Sequence, residues 1–367
     1  GGTIYSFNKT TGAVFTGGGN TSIGQTIFAL TNGDLTGGNN IGMGQAQYTL
    51  TSGNMAGSRN IGIGQSSYYV LNGDITNTAN NNIALGSSIY RLENSSTSTF
   101  SGFKNIGIGT EVYHLSAGSL TGKRNIGMGE SVFSIGSGDF TGDDNIGIGN
   151  SIYAFPSGNL TGNRNIGMGY KPFSIFAGNF SGNDNIGIGS SAMQVSGDIA
   201  GNDNIGIGSN AMNASGGIAG NYNIALGYQT MNTGGKIAGR ENIAIGYQAL
   251  HPLGSDDIGS YNIGIGNWAL FGGMGTGNAN IQIGNWIVGT PVAGRLNNVV
   301  AIGNGINSLS PINADSNTIL LGVPSSSANS PKVGIGTYKP GAKLEINNGT
   351  TAGAVKIVDG TQGVGKV

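Results

Sequence analysis

The sequence predicts an all-β fold, a repetitive β-solenoid or β-roll with about 19–20 residues per coil. The pentapeptide Asn-Ile-Gly-Ile-Gly, or a close variant, recurs along most of the 367 residues. Its leading Asn, which we call position zero, returns every 18–23 residues, and a fixed period of this size is typical of stacked repeats. The position-zero residues are Asn20, Asn40, Asn60, Asn82, Asn105, Asn125, Asn145, Asn165, Asn185, Asn204, Asn223, Asn242, Asn262 and Asn280.

The composition agrees with an array and excludes several classes. Gly accounts for 72 residues, and the 37% of hydrophobic residues stand at fixed repeat positions, unlike those of a disordered chain. The net charge is -1 and no block of Lys or Arg occurs, so we expect no nucleic-acid partner. No apolar run approaches the roughly 20 residues that span a bilayer, so we expect no membrane insertion. The chain has no cysteine and no paired histidines at metal spacing, so we expect no metal and no cofactor.

The first strand of each coil begins after the Asn. Positions one and three are apolar and positions two and four are nearly always Gly or Ala. This alternation predicts a short strand whose Ile, Met or Leu face points into the core. We also expect the stacked Asn side chains to hydrogen-bond from coil to coil.

Two further apolar columns complete each coil. Positions eight and ten are apolar in most repeats and predict a second strand. A Gly turn follows, and then a third apolar column that includes Leu120, Phe140 and Leu160. Three extended segments per coil, stacked about 4.8 Å apart over sixteen coils, predict a rod roughly 75 Å long.

Three regions are expected along the chain. Residues 1–195 form coils with an aromatic position eight, and residues 196–322 form narrower coils with Met or Leu there. Residues 323–367 form a linker and a C-terminal β segment that leads to a further domain. Because the chain begins in the middle of a repeat, we expect a longer protein.

Position seven is mostly apolar, although it should face away from position eight in a strand. A strand apolar on both faces is usually buried on both faces, which predicts an interface between protomers along the rod. The alternative is an apolar stripe tolerated at the surface. The candidate interface residues are Ile27, Ile89, Val112, Val132, Ile152 and Ile287.

Aromatic residues near position six suggest a binding surface. Trp268 and Trp286 stand at position six, and Tyr228 and Tyr247 stand at position five. Exposed rings at this spacing would form a stacking platform for sugar rings of a host-surface glycan. The alternative is that they fill a corner widened by the loss of an apolar position ten.

No catalytic site is expected. The acidic doublets Asp143-Asp144 and Asp256-Asp257 could serve as a glycosidase pair, but no matching carboxylate column faces them. We therefore expect no enzymatic activity.

Two stretches carry a family resemblance. The segment Asn242-Ile-Ala-Ile-Gly-Tyr-Gln-Ala-Leu250, closed by Ile258-Gly-Ser-Tyr-Asn262, resembles the Gly/Asn-rich β-roll repeats of phage tail fibres. It is also similar to the head repeats of trimeric autotransporter adhesins, which have a shorter period. The tail from Val333 to Ile346 resembles the segment that precedes the C-terminal region of many fibre proteins.

The resemblance implies a parallel homotrimeric fibre. It further implies that the chain is the structural part of a phage tail fibre, a virion appendage that attaches to a host-surface glycan or protein receptor. The alternative is the stalk or head of a trimeric adhesin on the bacterial cell surface. The expected location is therefore the virion or the extracellular surface of a cell.

Overall fold

The structure is a computed structural model of the chain. The described residues are 18–25, 37–45, 57–65, 73–75, 80–88, 98–112, 121–132, 135–136, 141–152, 155–156, 161–173, 175, 179–252, 256–272, 277–285, 288–289, 297–303, 319–321, 333–335, 344–346, 358–359 and 363–364. The expected linker at residues 323–332 lies outside them.

The predicted β-solenoid is confirmed. Within the described residues there is no helix, and sixteen parallel strands form one sheet in chain order. Each strand pairs in register with the next, so that equal repeat positions are neighbours, as in Ile146 beside Ile166. The strands are Thr21–Gln25, Ile41–Gln45, Ile61–Gln65, Ile83–Ser87, Ile106–Thr110, Ile126–Glu130, Ile146–Asn150, Ile166–Tyr170, Ile186–Ile188, Ile205–Ile207, Ile224–Leu226, Ile243–Ile245, Ile263–Ile265, Ile281–Ile283, Val300–Ile302 and Ile319–Leu321.

Two lesser ladders run beside the main sheet. Parallel bridges join position ten from Ile175 to Thr233, and others join the third apolar column from Phe180 to Ile258. The prediction of three extended segments per coil is therefore confirmed for these coils. Short two-stranded pairs are Gly73–Ile75 with Ser98–Phe100, Ile135–Gly136 with Phe155–Pro156, Phe271–Gly272 with Val288–Gly289, Val333–Ile335 with Leu344–Ile346, and Val358–Asp359 with Gly363–Val364.

The main-sheet strands change length in the middle of the chain. They have five residues up to Ile166–Tyr170 and three residues from Ile186–Ile188 onward. The change falls close to the point where the repeat period shortens and position eight becomes Met.

The predicted Asn ladder at position zero is confirmed, and the structure shows that it is buried. From Asn82 to Asn280 these side chains are fully buried. In one link, the backbone N–H of Asn165 donates to Asn145 Oδ1 at 2.9 Å, and Asn165 Nδ2 donates to the same oxygen at 3.1 Å. Asn165 Nδ2 also donates to the carbonyl oxygen of Gly182 at 2.9 Å. Each amide thus satisfies buried backbone groups of two coils, which would otherwise cost free energy.

A second ladder stands two residues earlier, at position -2. Here the backbone N–H of Asn163 donates to Asn183 Oδ1 at 2.8 Å, and that of Asn183 donates to Asn202 Oδ1 at 2.7 Å. At position -2 each backbone N–H donates to the next coil along the chain, whereas at position zero each backbone N–H donates to the previous coil. Sequence reasoning missed this ladder, although the run of Asp or Asn at position -2 from Asp143 to Asn221 is the signal that could have found it.

The main strands present the opposite face to the one predicted. Position two is buried, as in Ala84, Ala225 and Ala244, whereas the Ile, Met or Leu at positions one and three lie outside. The buried Asn causes this inversion, because alternation along a strand places positions zero and two on the same side. The expectation that the Ile columns fill the core is therefore wrong.

Position seven is also placed differently from the prediction. The candidate interface residues Val112, Val132 and Ile152 are fully buried within their own chain. The preceding position six has a positive φ, as does position eight in coils such as that of Ser191 and Met193. These left-handed residues interrupt the strand alternation, so positions seven and eight both point inward. The interface assignment of these three residues is wrong, and Ile27, Ile89 and Ile287 lie outside the described residues.

The core consists of positions seven, eight and ten and the third apolar column. Phe173 and Phe180 are its largest fully buried side chains, and their rings stack with centroids 5.3 Å apart. Burial of one such side chain contributes about 1.5–3 kcal/mol. The other fully or almost fully buried members include Ile175, Met193, Val195, Ile199, Met212, Ile218, Met231, Ile237, Leu250, Ile258 and Leu270.

The glycine at position four fixes the distance between coils. Its φ is near +130°, for example +123° at Gly266, and a Cβ there would lie 2.2 Å from the carbonyl oxygen of Gly284. Both the conformation and the approach of the next backbone exclude a side chain.

The two Asn ladders should differ in their contribution to stability. In Asn165→Ala, the buried N–H of Asn185 loses its acceptor and no water replaces it, so we expect a loss of about 1–3 kcal/mol. In Asn163→Ala, from the half-exposed ladder of the same coil, water can replace the amide and the loss should be below about 1 kcal/mol. Chemical denaturation of both variants measures the difference, and equal losses would contradict the assignment.

Glycine replacement should be tolerated at position two and not at position four. In Gly266→Ala the new Cβ meets a backbone oxygen and the residue keeps a strained conformation. The free energy of unfolding should therefore fall by about 1–3 kcal/mol or more. Gly264→Ala is the matched control: its Cβ would lie 3.2 Å from the end of the Leu270 side chain, and Ala244 occupies the same position in the neighbouring coil. We expect a clearly lower Tm for the first variant only; the reverse order would refute this account of position four.

Candidate functional site

The isoleucine face is the outward surface of the sixteen-stranded sheet, formed by positions one and three. Position three is exposed by 36–52% in most coils. These residues are Ile23, Met43, Ile63, Met128, Met168, Ile207, Ile245, Ile265, Ile283, Ile302 and Leu321.

The size of this face matches that of the largest apolar patches on proteins, which often serve a function. Sixteen strands at about 4.8 Å extend about 72 Å, and positions one and three are about 7 Å apart. Two apolar columns of this length cover about 500 Å², and contiguous apolar patches of this size often mark interaction surfaces.

One edge of the isoleucine face is charged. At position -1, Arg124 Nε donates to Asp144 Oδ1 at 2.6 Å, and Arg164 Nε donates to Asp184 Oδ1 at 2.7 Å. Both pairs join adjacent coils with two hydrogen bonds each. The hydrogen bond from the arginine lowers the pKa of each carboxyl group below its ordinary value. These exposed pairs contribute little to stability but make this edge of the face polar.

The other edge begins at position five, where Tyr228 and Tyr247 stand, and carries the aromatic column. We define this column as Tyr228, Tyr247, Trp268 and Phe271. The Tyr228 and Tyr247 rings stack with centroids 5.4 Å apart and planes at 11°, and Trp268 is tilted against Tyr247 at 5.9 Å. Trp268 also contacts Phe271, with centroids 6.0 Å apart.

This geometry determines how a sugar could approach the column. Tyr228 and Tyr247 are exposed by 45% and 43%, but they cover one face of each other. No sugar ring fits between two rings 5.4 Å apart, so a ligand would meet ring edges, hydroxyl groups and the outer face of Tyr228. Trp286 lies outside the described residues.

A glutamine column beneath the rings was missed by sequence reasoning. Trp268 Nε1 donates to Gln248 Oε1, and Gln248 Nε2 donates to Gln229 Oε1 at 2.7 Å. The indole N–H is thus engaged within the protein. The repeated Gln at position six, immediately after each Tyr, was the available signal.

His251 lies beside this column. Its ring stacks on Phe271 with centroids 5.4 Å apart, and Nδ1 is buried without a hydrogen-bond partner among the described residues. Burial lowers the pKa of His251, and a hydrogen bond to the Gln229 backbone opposes the shift. The neutral imidazole is therefore the form that the fold accommodates.

Both acidic doublets have structural partners. Asp143 Oδ1 accepts the backbone N–H of Lys123 at 2.8 Å, and Asp144 pairs with Arg124. Asp257 Oδ1 accepts the backbone N–H of Lys236 at 2.7 Å. These carboxylates therefore stabilise connections between coils.

Among the described residues, no group of three or more His, Cys, Asp or Glu is placed to hold a metal ion. Within the same ranges, no helix is long and apolar enough to cross a membrane.

No protein-family model, curated protein or solved structure matches the chain.

Acidification should destabilise the coil of His251. Its pKa is lower in the folded state, so the unfolded chain binds the proton more tightly and stability falls as pH drops below about 6.5. We expect Tm to decrease between pH 7.5 and 5.5, and His251→Phe to remove much of that decrease while keeping a stacked ring. Asp144 and Asp184 remain ionised in this window because their pKa values are lowered.

His114→Phe is the matched control, since His114 is the other histidine of the chain. It should leave the pH dependence unchanged. Identical pH profiles for the unmodified chain and His251→Phe would contradict the assignment.

Proposed function

We propose that the chain is the structural rod of a homotrimeric phage tail fibre that attaches to a host surface. The observation behind this proposal is the isoleucine face. Its exposed apolar side chains extend about 72 Å, so a partner could contact the rod along its whole length. A second copy of the same chain presents the same apolar columns at the same spacing, so two rods in register match coil by coil.

The proposed interface replaces the one expected at position seven. Positions one and three offer exposed apolar side chains, whereas Val112, Val132 and Ile152 are enclosed by their own coils. Three chains with parallel axes would turn their isoleucine faces toward a common axis and bury them together. The number three rests on the resemblance to tail-fibre and adhesin repeats.

The proposed role is attachment without catalysis. The rod acts as a spacer, and the aromatic column supplies a contact for a host-surface glycan. The exposed edges of Tyr228 and Tyr247 combine apolar carbon with a hydroxyl group. Tyrosine is common at binding surfaces because its ring makes apolar contacts while its hydroxyl group forms hydrogen bonds.

The second candidate is a trimeric adhesin stalk or head on a bacterial cell surface, since the same repeats and the same interface would serve it. Immunogold labelling with an antibody against residues 1–367 separates the two. Label on phage particles supports the tail fibre, and label on the bacterial envelope supports the adhesin.

A charge on the isoleucine face should prevent assembly. The double variant Ile207→Asp, Ile245→Asp would bury unpaired carboxylates between copies, which costs several kcal/mol. We expect analytical ultracentrifugation to show trimer for the unmodified chain and monomer for the variant, with the β-sheet circular dichroism retained.

The matched control is Ala219→Asp, Ala238→Asp, which adds the same charge at two exposed positions away from this face. It should remain trimeric. An assembled Ile207→Asp, Ile245→Asp variant, or equal loss of assembly in the control, would overturn the proposed interface.

A further inference from the structure

A surface groove crosses three coils near residues 101–143, away from the aromatic column. Its volume is about 390 Å³. Ser101, Phe103, Thr121, Lys123, Thr141 and Asp143 line it.

The groove arises from two columns on either side of buried glycines. Position -4 supplies the hydroxyl groups of Ser101, Thr121 and Thr141, and position -2 supplies the opposite wall. Position -3 is a buried Gly without a side chain in each of the three coils. Successive hydroxyl groups are therefore about 4.8 Å apart along the rod. The hydroxyl column continues through Thr161 and Ser181, and position -4 is Ala in the next three coils.

The groove replaces part of the second Asn ladder. From residue 163 to residue 221 position -2 is Asn in every coil, and each side chain accepts a backbone N–H of the preceding coil. Phe103 and Lys123 cannot accept a hydrogen bond through their side chains. Two links of the ladder are thus given up where the groove lies, as one is at Arg240 in a later coil.

Two ammonium groups lie beside the aromatic wall of the groove. The ammonium groups of Lys104 and Lys123 lie 5.9 and 5.1 Å from the centre of the Phe103 ring. Asp143 Oδ1 accepts a hydrogen bond from the backbone N–H of Lys123. Asp143 Oδ2 lies 3.9 Å from a guanidinium nitrogen of Arg124, which also forms an ion pair with Asp144. Arg124 therefore engages both nearby carboxylates, while Lys104 and Lys123 stand beside the Phe103 ring.

We propose that this groove binds an acidic saccharide, a sugar that bears a carboxylate or sulfate group. Lys123 and Lys104 pair with the anionic group, the hydroxyl groups of Ser101, Thr121 and Thr141 bond to sugar hydroxyls, and Phe103 forms an apolar wall. An aromatic wall beside a few placed polar groups is the usual composition of a small-molecule site. A single chain forms the groove, so this proposal does not depend on the trimer.

The test is binding of the full chain to a microarray of immobilised neutral, carboxylated and sulfated saccharides. The double variant Phe103→Asn, Lys123→Asn restores ladder acceptors while removing the wall and a cation. We expect the unmodified chain to bind acidic saccharides, and the variant to bind them at least tenfold more weakly with an equal or higher Tm. Such a separation of binding from stability would not arise from a purely structural role.

Lys171→Asn is the matched control, because it removes a lysine that lies over Tyr170 in another coil. It should bind as the unmodified chain does. Lys123→Ala is a second variant that leaves Phe103 in place, and it should weaken binding of acidic saccharides. The proposal is overturned if the unmodified chain binds no saccharide or only neutral ones, or if the double variant binds as well as the unmodified chain.

Discussion

The buried asparagine ladder at position zero is the constraint on which the rest of the structure depends. An amide side chain placed inside the coil must be fully hydrogen-bonded, and stacking of identical coils provides those bonds. Once Asn145 or Asn165 points inward, strand alternation sends position two inward and positions one and three outward. The ladder therefore accounts both for the Gly and Ala residues that face the core and for the apolar side chains that face out.

Glycine and left-handed residues then shape the coil around that ladder. Gly266 and its equivalents bring successive backbones close together, as their φ values near +130° require. Left-handed residues at position six, such as Ser191, turn the chain so that two consecutive side chains enter the core. The interior is filled mainly from this corner and from the third apolar column, since position two contributes mostly Gly or Ala.

Part of this arrangement could be predicted from the sequence. The repeat period predicted the solenoid, and the columns around Phe173 and Phe180 predicted the core, because both depend on spacing alone. The direction of Ile207 and Ile245 could not be predicted in this way, since hydrophobicity alone does not distinguish a core from an exposed apolar face. The inward direction of Val132 depends on a positive φ at Ser131, which an ordinary serine does not signal. The groove beside Phe103 depends on neighbours about 20 residues apart, and only the stacking of coils brings them together.

The central claim is that the isoleucine face is covered by copies of the same chain. The solution mass of the unmodified chain, measured by light scattering during size-exclusion chromatography, tests this claim most directly. The account predicts three times the chain mass of 36.9 kDa. A mass of 36.9 kDa at micromolar concentration would leave sixteen strands of apolar side chains in water and would contradict it.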